Sequence, residues 1–126
     1  MNDQGTVLIV DADRVERELV CETLAGKGLR LVVTGNMYQA FHQIEHLKVD
    51  ILIAQLKAER IDGLALLEAA AQHHPDIGVV FITEPNILET DIGIKAMLAY
   101  KDTYFLPRPV NPVHLAALLQ LSLIHI

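Results

Sequence analysis

Short apolar runs alternate with segments of helical periodicity along the whole chain. The runs have the length of strands and lie at residues 6–10, 31–33, 49–56, 79–82 and 104–106. The third run is followed by a polar break at residues 57–60. Apolar strands without a regular polar alternation are typical of a parallel sheet covered on both faces.

The intervening segments carry apolar residues at the spacing of one helix face. The predicted faces consist of Val15, Leu19, Val20 and Leu24; of Ala40, Phe41, Ile44 and Leu47; of Leu64, Leu67 and Ala71; and of Leu115, Leu118 and Leu119. Asp13 and Asn36 are predicted to cap the first two helices. The third helix is predicted to end near His74, and a weaker fourth helix to run over residues 87–98 with an interruption at Gly93.

Five strands alternating with five helices predict an α/β fold. Right-handed crossovers favour a flavodoxin-like (βα)5 three-layer sandwich, with a parallel five-stranded sheet of order 2-1-3-4-5. The carboxyl ends of four of these strands should converge and bring together Asp11, Gln55, Thr83 and Arg108. Open α/β sheets bind their ligands at this edge, so we expect the functional site there.

Composition limits the class of protein. The 126 residues suit a single domain, and 52% of them are hydrophobic, which argues against disorder. A net charge of −6 argues against a nucleic-acid surface, and no apolar run is long enough to predict a membrane span. Cys21 has no partner for an internal disulfide and residues 1–5 do not resemble a signal peptide, so we expect a cytoplasmic protein. The apolar ending at residues 122–126 leads us to expect that residues 1–126 are the N-terminal module of a longer protein.

Four motifs resemble, in their order and spacing, the receiver domain of bacterial two-component response regulators. They are LIVDAD at 8–13, DILIAQL at 50–56 followed by IDGLALL at 61–67, FIT at 81–83 and FLPRP at 105–109. The resemblance covers about residues 6–119. It implies phosphorelay signalling through an acidic pair that binds magnesium, an aspartate that becomes an acyl phosphate, and a hydroxyl and a lysine that contact the phosphoryl group. It also implies an aromatic side chain on the fifth strand that reports the change.

Several chemical positions depart from the family pattern. The resemblance places Gln55 at the phosphoacceptor position, and an amide has no anionic oxygen with which to attack phosphorus. Ala12 stands where the second acid of the pair is expected, which leaves Asp11, while Asp13 is expected to cap the helix. Arg108 replaces the lysine. Conventional phosphorylation is therefore not expected, and magnesium binding should be weak or absent.

Other positions match the family or belong to the same pocket. Thr83 and Phe105 match its switch pair, and Lys57 follows the third strand at the edge of the pocket. In the family, the side next to the fifth strand often forms a dimer face, so a homodimer is a further expectation, with an ordinary surface as the other interpretation. That side carries Tyr100, Lys101, Asp102 and Val110.

The loss of carboxylates from the pocket suggests how its remaining charges are satisfied. Asp11 is expected to pair with Arg108 directly, or through hydrogen bonds to Gln55, in a pocket satisfied without metal or phosphate and held in one conformation. Gln55 as a passive filler and Asp11 as a local helix cap stay open as alternatives. His42 and His46 have a spacing found in metal sites, but no third ligand lies nearby in sequence, so we expect a solvated face.

Three functions are consistent with these features. The first is a pseudo-receiver that acts through contacts with a sensor kinase, its own output domain or a second copy, without nucleic-acid or membrane contacts. The second is a sensor of a small anionic ligand held by Arg108. The third is a receiver phosphorylated on a substitute carboxylate such as Asp13 or Glu59. No Ser-His-Asp, Cys-His or metal constellation is evident in the sequence, so we do not expect an enzyme.

Overall fold

The computed structural model describes residues 5–99 and 102–123. Tyr100 and Lys101 of the predicted dimer side, and the end of the chain after residue 123, lie outside these residues. The strands are β1 (Thr6–Val10), β2 (Arg30–Thr34), β3 (Ile51–Gln55), β4 (Lys57–Ala58), β5 (Ile61–Asp62), β6 (Gly78–Thr83) and β7 (Thr103–Pro107). The helices are α1 (Arg14–Leu24), α2 (Met37–His46), α3 (Gly63–His73), α4 (Asp91–Ala99) and α5 (Pro112–Leu123), with a 3-10 turn at Ile87–Glu89.

The five long strands form one parallel sheet of order β2-β1-β3-β6-β7. These five strands have the predicted flavodoxin-like order 2-1-3-4-5, which is therefore confirmed. The other two strands, β4 and β5, form a separate two-stranded antiparallel hairpin. This hairpin occupies the segment predicted as a polar break. Ile61 anchors it in the core with an exposed fraction of 2%. Strands of two residues are too short to show a periodic pattern, so β4 and β5 were not predicted.

The central strands β1, β3 and β6 are buried on both faces, whereas the edge strands β2 and β7 are only partly buried. On β1, Leu8 and Val10 face one cluster while Val7 and Ile9 face the other. The first cluster contains buried residues of α2 and α3, and the second contains buried residues of α1 and α5. Each such aliphatic side chain contributes about 1.5–3 kcal/mol when it is fully buried. Two covered faces are therefore the physical reason for apolar runs without alternation.

The predicted caps of α1 and α2 are confirmed, whereas some residues predicted to face the core are not the ones that are buried. Asp13 caps α1 by accepting a hydrogen bond from the Glu16 N–H at 3.1 Å, and Asn36 caps α2 in the same way. Val15 is 76% exposed, because it precedes the buried Val20 by five residues and so lies about 140° away around the helix. On α3 the deeply buried positions are Leu66, Leu67 and Ala70 rather than Leu64 and Ala71.

The predicted interruption of the fourth helix lies at Thr90, not at Gly93. The 3-10 turn ends before Thr90, whose Oγ1 accepts a hydrogen bond from the Gly93 N–H at 3.2 Å as α4 begins. Gly93 is inside α4, where a Cβ atom would overlap the Ile87 carbonyl oxygen. This glycine therefore allows a close contact between the turn and the helix, and it does not break the helix.

Gly63 is the closest point of contact between α3 and the end of β3. A Cβ atom there would lie 2.6 Å from the Gln55 carbonyl oxygen and 2.8 Å from the Leu56 Cα. We expect Gly63→Ala to lower the free energy of unfolding by about 1–3 kcal/mol, because backbone cannot move aside as a side chain can. Urea unfolding measures the loss. Gly26→Ala is the control, since nothing lies within 4 Å of its Cβ and only its left-handed φ of 76° is strained. Equal stability of Gly63→Ala and the wild type would contradict the prediction.

Candidate functional site

The carboxyl edge of the sheet brings the predicted site residues together. Asp11 follows β1, Gln55 ends β3 and Thr83 ends β6, and these residues are 0%, 4% and 3% exposed. Arg108 follows β7 directly, and its backbone N–H donates to the Thr83 carbonyl oxygen at 2.8 Å. The predicted convergence of strand ends is confirmed by these positions.

Gln55 links the end of β3 to the loop after β1. Its Oε1 accepts a hydrogen bond from the Ala12 N–H at 2.9 Å. The expected bridge from Gln55 to Asp11 and Arg108 is therefore wrong: the side-chain oxygen of Gln55 satisfies a backbone donor instead. Backbone amides are hydrogen-bonding groups that every fold must satisfy, and this one lies within reach of the amide side chain.

Asp11 is a buried carboxyl group that is only half satisfied. Its Oδ1 accepts from the Asp13 N–H at 2.8 Å, whereas Oδ2 is buried and has no hydrogen-bond partner among the described residues. The pKa of Asp11 is raised to about 8, chiefly because the carboxyl group is buried. The nearby Glu16 adds to this rise through side-chain hydrogen bonding and through its negative charge. The Asp13 N–H and the Arg108 charge act in the opposite direction. The Asp11 carboxyl group therefore keeps its proton to a higher pH than an ordinary aspartate, and the expectation of a fully satisfied pocket stays a prediction.

Arg108 is paired with glutamates and not with Asp11. Its Nε donates to Glu16 Oε2 at 2.9 Å and its Nη2 to Glu16 Oε1 at 3.3 Å, while Nη1 donates to Glu84 Oε1 at 3.2 Å. Burial lowers the pKa of the guanidinium, but the hydrogen bond and charge of Glu16, together with Glu84 and Asp11, raise it overall. The expected Asp11–Arg108 pair is wrong because Glu16, on the first turn of α1, binds the Nε–Nη2 edge of the guanidinium and Glu84 binds Nη1.

The remaining predicted residues differ in their surroundings. Phe105 is half-buried against the core, with its ring centroid 6.2 Å from that of Phe81 on the neighbouring strand. Lys57 is exposed on β4 opposite Asp62, and among the described residues its side chain has no ion pair or hydrogen bond. Lys57 therefore lies apart from the buried group, which consists of Asp11, Gln55 and Thr83.

Sequence reasoning missed Glu16 and Glu84. Glu16 occupies the third position after the Asp13 cap, where a glutamate is ordinarily explained by helix capping. Its actual partner, Arg108, is 92 residues away in the sequence. No local pattern could have indicated this contact, because it depends on how the fold brings the first turn of α1 next to the residue that follows β7.

Two further features concern metals and membranes. The rings of His42 and His46 stack with centroids 4.2 Å apart, and His46 Nδ1 lies 2.9 Å from the His42 carbonyl oxygen. Over residues 5–99 and 102–123, no group of three or more His, Cys, Asp or Glu side chains has the arrangement of a metal site. Within the same ranges, no helix combines the length and hydropathy that a membrane span requires.

Comparison with known proteins identifies the family. Residues 7–120 match the response regulator receiver domain. The chain belongs to this family. It is 29% identical over 122 residues to the DNA-binding transcriptional regulator NtrC of Escherichia coli (strain K12), an alignment that covers 97% of this chain and 25% of NtrC. It is 31% identical over 119 residues to an NtrX-like response regulator of Rickettsia typhi, covering 93% of this chain and 24% of that protein.

Solved structures agree with this fold. The receiver domain of an HD domain-containing protein from Pseudomonas fluorescens Pf-5 superposes with a TM-score of 0.84 at 22% identity, covering 96% of this chain and 95% of that one. At this identity the likeness shows the fold alone. The 126-residue chain of the present protein spans about a quarter of the length of NtrC and of the NtrX-like regulator. Membership of the family connects the chain to two-component signalling.

Receiver domains are expected to bind magnesium at this edge, but the side chains present here do not fit the ion. Magnesium takes oxygen ligands in a nearly octahedral arrangement and favours carboxylates. The raised pKa of Asp11 means that this carboxyl group must give up its proton to bind the ion, the Gln55 Oε1 is bonded to the Ala12 N–H, and Ala12 itself offers no side-chain oxygen. Both carboxylate oxygens of Glu16 are engaged by Arg108.

Proposed function

We propose that this receiver domain is a pseudo-receiver, which works in two-component or phosphorelay signalling through protein contacts and without conventional aspartyl phosphorylation. The observation that carries the proposal is the position of Gln55, which ends β3 with its Oε1 bonded to the Ala12 N–H. A carboxamide at the phosphoacceptor position is neutral and cannot form an acyl phosphate. Its hydrogen bond gives Gln55 a structural task in place of the chemical one.

Substitute acceptors receive less support from their surroundings. Asp13 Oδ1 accepts the Glu16 N–H, which directs its carboxylate to the start of α1. Glu59 lies at the exposed tip of the β4–β5 hairpin, away from the buried group. Asp11 lies in the pocket, but its raised pKa favours the protonated form, and a protonated carboxyl group is a poor nucleophile.

The partners follow from the family and from charge. The matched relatives are about four times longer than this chain, so we propose that the domain is the N-terminal module of a longer protein and contacts its own output domain, a sensor kinase or a second copy. With sixteen acidic and ten basic residues, contact with nucleic acid would fall to another domain. We propose a cytoplasmic location and no enzymatic activity of its own.

Incubation with a small phosphodonor and magnesium tests the proposal. We expect no phosphoryl group in the intact mass and no thermal shift with beryllofluoride, because the pocket lacks the carboxylate to which either would attach. A receiver domain whose third strand ends in aspartate is the positive control. A stoichiometric gain of one phosphoryl group would overturn the proposal, and peptide mapping would then begin with Asp13 and Asp11.

A further inference from the structure

The contact between Glu16 and Arg108 joins two elements that are far apart in the sequence. Glu16 lies on the first turn of α1, and Arg108 follows β7. Both carboxylate oxygens accept hydrogen bonds from one guanidinium, at 2.9 and 3.3 Å. The side chains are only 10% and 24% exposed, respectively. A bidentate, charge-assisted pair of this kind is stronger and more directional than an ordinary surface ion pair.

The arginine side of this contact has the form of an anion site. A guanidinium fork matches the geometry of carboxylate and phosphate oxygens equally well. A groove of about 540 Å³ reaches the pair, with Val15, Leu19 and Val110 among its apolar walls and Asp13 and Glu84 at its polar edge. A small anion from solvent could therefore approach Arg108 if the Glu16 carboxylate were absent.

We propose that Glu16 is an internal ligand of an anion site centred on Arg108, and that its carboxylate keeps this site closed to external anions. The inference rests on the proposed function in that it describes the regulation of the same pocket. It adds a second obstacle to phosphoryl binding, independent of Gln55. It also argues against the anion-sensor alternative, since the cation that would hold the ligand already has a partner within the chain.

The other carboxylates near Arg108 do not replace Glu16. Glu84 contacts Nη1 at 3.2 Å, but its side chain is 74% exposed, and exposed ion pairs contribute little because water competes for both partners. Asp11 makes no hydrogen bond to Arg108, since its Oδ1 accepts from the Asp13 N–H and its Oδ2 has no partner among the described residues. Loss of the Glu16 carboxylate should therefore leave Nε and Nη2 available to another oxyanion.

The Arg108 side-chain Nε–H signal in nitrogen–proton NMR spectra of the whole chain tests the proposal, with inorganic phosphate as the probe at constant ionic strength. In the wild type we expect no saturable change on addition of phosphate. In Glu16→Ala we expect a saturable shift of the signal and a rise in Tm with phosphate concentration. Glu18→Ala is the matched control, because it removes the carboxylate of the exposed Arg14–Glu18 pair on the same helix and should behave as the wild type.

A second variant covers the case in which Glu16→Ala does not fold. Glu16→Gln keeps the size of the side chain and removes its charge, so it should also respond to phosphate, more weakly than Glu16→Ala. A wild type that responds as strongly as the Glu16 variants, or variants that do not respond at all, would overturn the proposal. The titration involves no phosphoryl transfer, so its failure leaves the proposed function standing. A mass gain with the phosphodonor would remove the proposed function and leave this contact to be tested by NMR.

Discussion

Asp11→Asn should stabilise the protein, and the gain should grow as the pH rises from 5 to 8. Asn retains the Oδ1 that accepts the Asp13 N–H, and it places a neutral donor where the unpartnered Oδ2 of Asp11 lies beside Glu16. In the wild type the folded state holds the Asp11 proton up to a pKa of about 8, whereas the unfolded chain releases it near 3.8. Between these values the folded state binds more protons than the unfolded state, so rising pH destabilises the wild type.

The change in the free energy of unfolding per pH unit that one titrating group can cause has an upper limit. One group that is protonated in the folded state and ionised in the unfolded state contributes about −1.4 kcal/mol per pH unit to the free energy of unfolding, or about 4 kcal/mol from pH 5 to 8. Above the folded pKa both states have lost the proton, and the difference between variant and wild type should become constant.

Urea unfolding of both proteins at several pH values, in buffers with a chelator, measures the difference. Subtraction of the wild type from Asp11→Asn cancels the titration of the histidines, which is common to both. Glu68→Gln removes an exposed negative charge and controls for the change in net charge. A difference that stays flat between pH 5 and 8 would show that Asp11 is ionised in the folded state throughout this range.

Gln55→Asp should lower stability without creating a tight magnesium site. The new carboxylate would be buried, since position 55 is 4% exposed, and the Ala12 N–H would lose the Oε1 that it contacts now. An unpaired buried polar group costs roughly 1–3 kcal/mol, and more when it is charged. Magnesium would not compensate for this loss, because Ala12 supplies no second carboxylate and Glu16 is held by Arg108.

Calorimetric titration with magnesium chloride separates the possible outcomes. Gln55→Asn has the length of aspartate without its charge, so it reports the loss of the Ala12 contact alone. The Ala12→Asp/Gln55→Asp double variant restores both carboxylates, and we expect it to bind magnesium more tightly than either single variant. Tight magnesium binding by Gln55→Asp alone would contradict the view that the pocket has lost more than its nucleophile.

Much of the fold could be predicted from local pattern. The five strands of the parallel sheet were correctly predicted because burial on two faces leaves apolar runs with few alternatives, and β3 and β6 are the clearest cases. The short strands β4 and β5 were missed. The caps at Asp13 and Asn36 were predictable because they depend on residues three positions apart. The errors at Val15 and Thr90 concern which side of a helix faces the core and where a short turn gives way to a helix. Those features are decided by packing against other elements.

The candidate site likewise has features that follow from the sequence pattern and features that depend on packing. The sequence alone predicted that Asp11, Gln55, Thr83 and Arg108 meet at one edge, because strand order and strand direction follow from the alternation of elements. It also determined that position 55 carries an amide. The partners depend on the three-dimensional structure: Gln55 accepts a hydrogen bond from the Ala12 N–H, Arg108 bonds Glu16, and burial raises the pKa of Asp11. Hydrogen bonds and pKa values depend on distances of a few ångströms between residues far apart in the chain, and no local pattern encodes such distances.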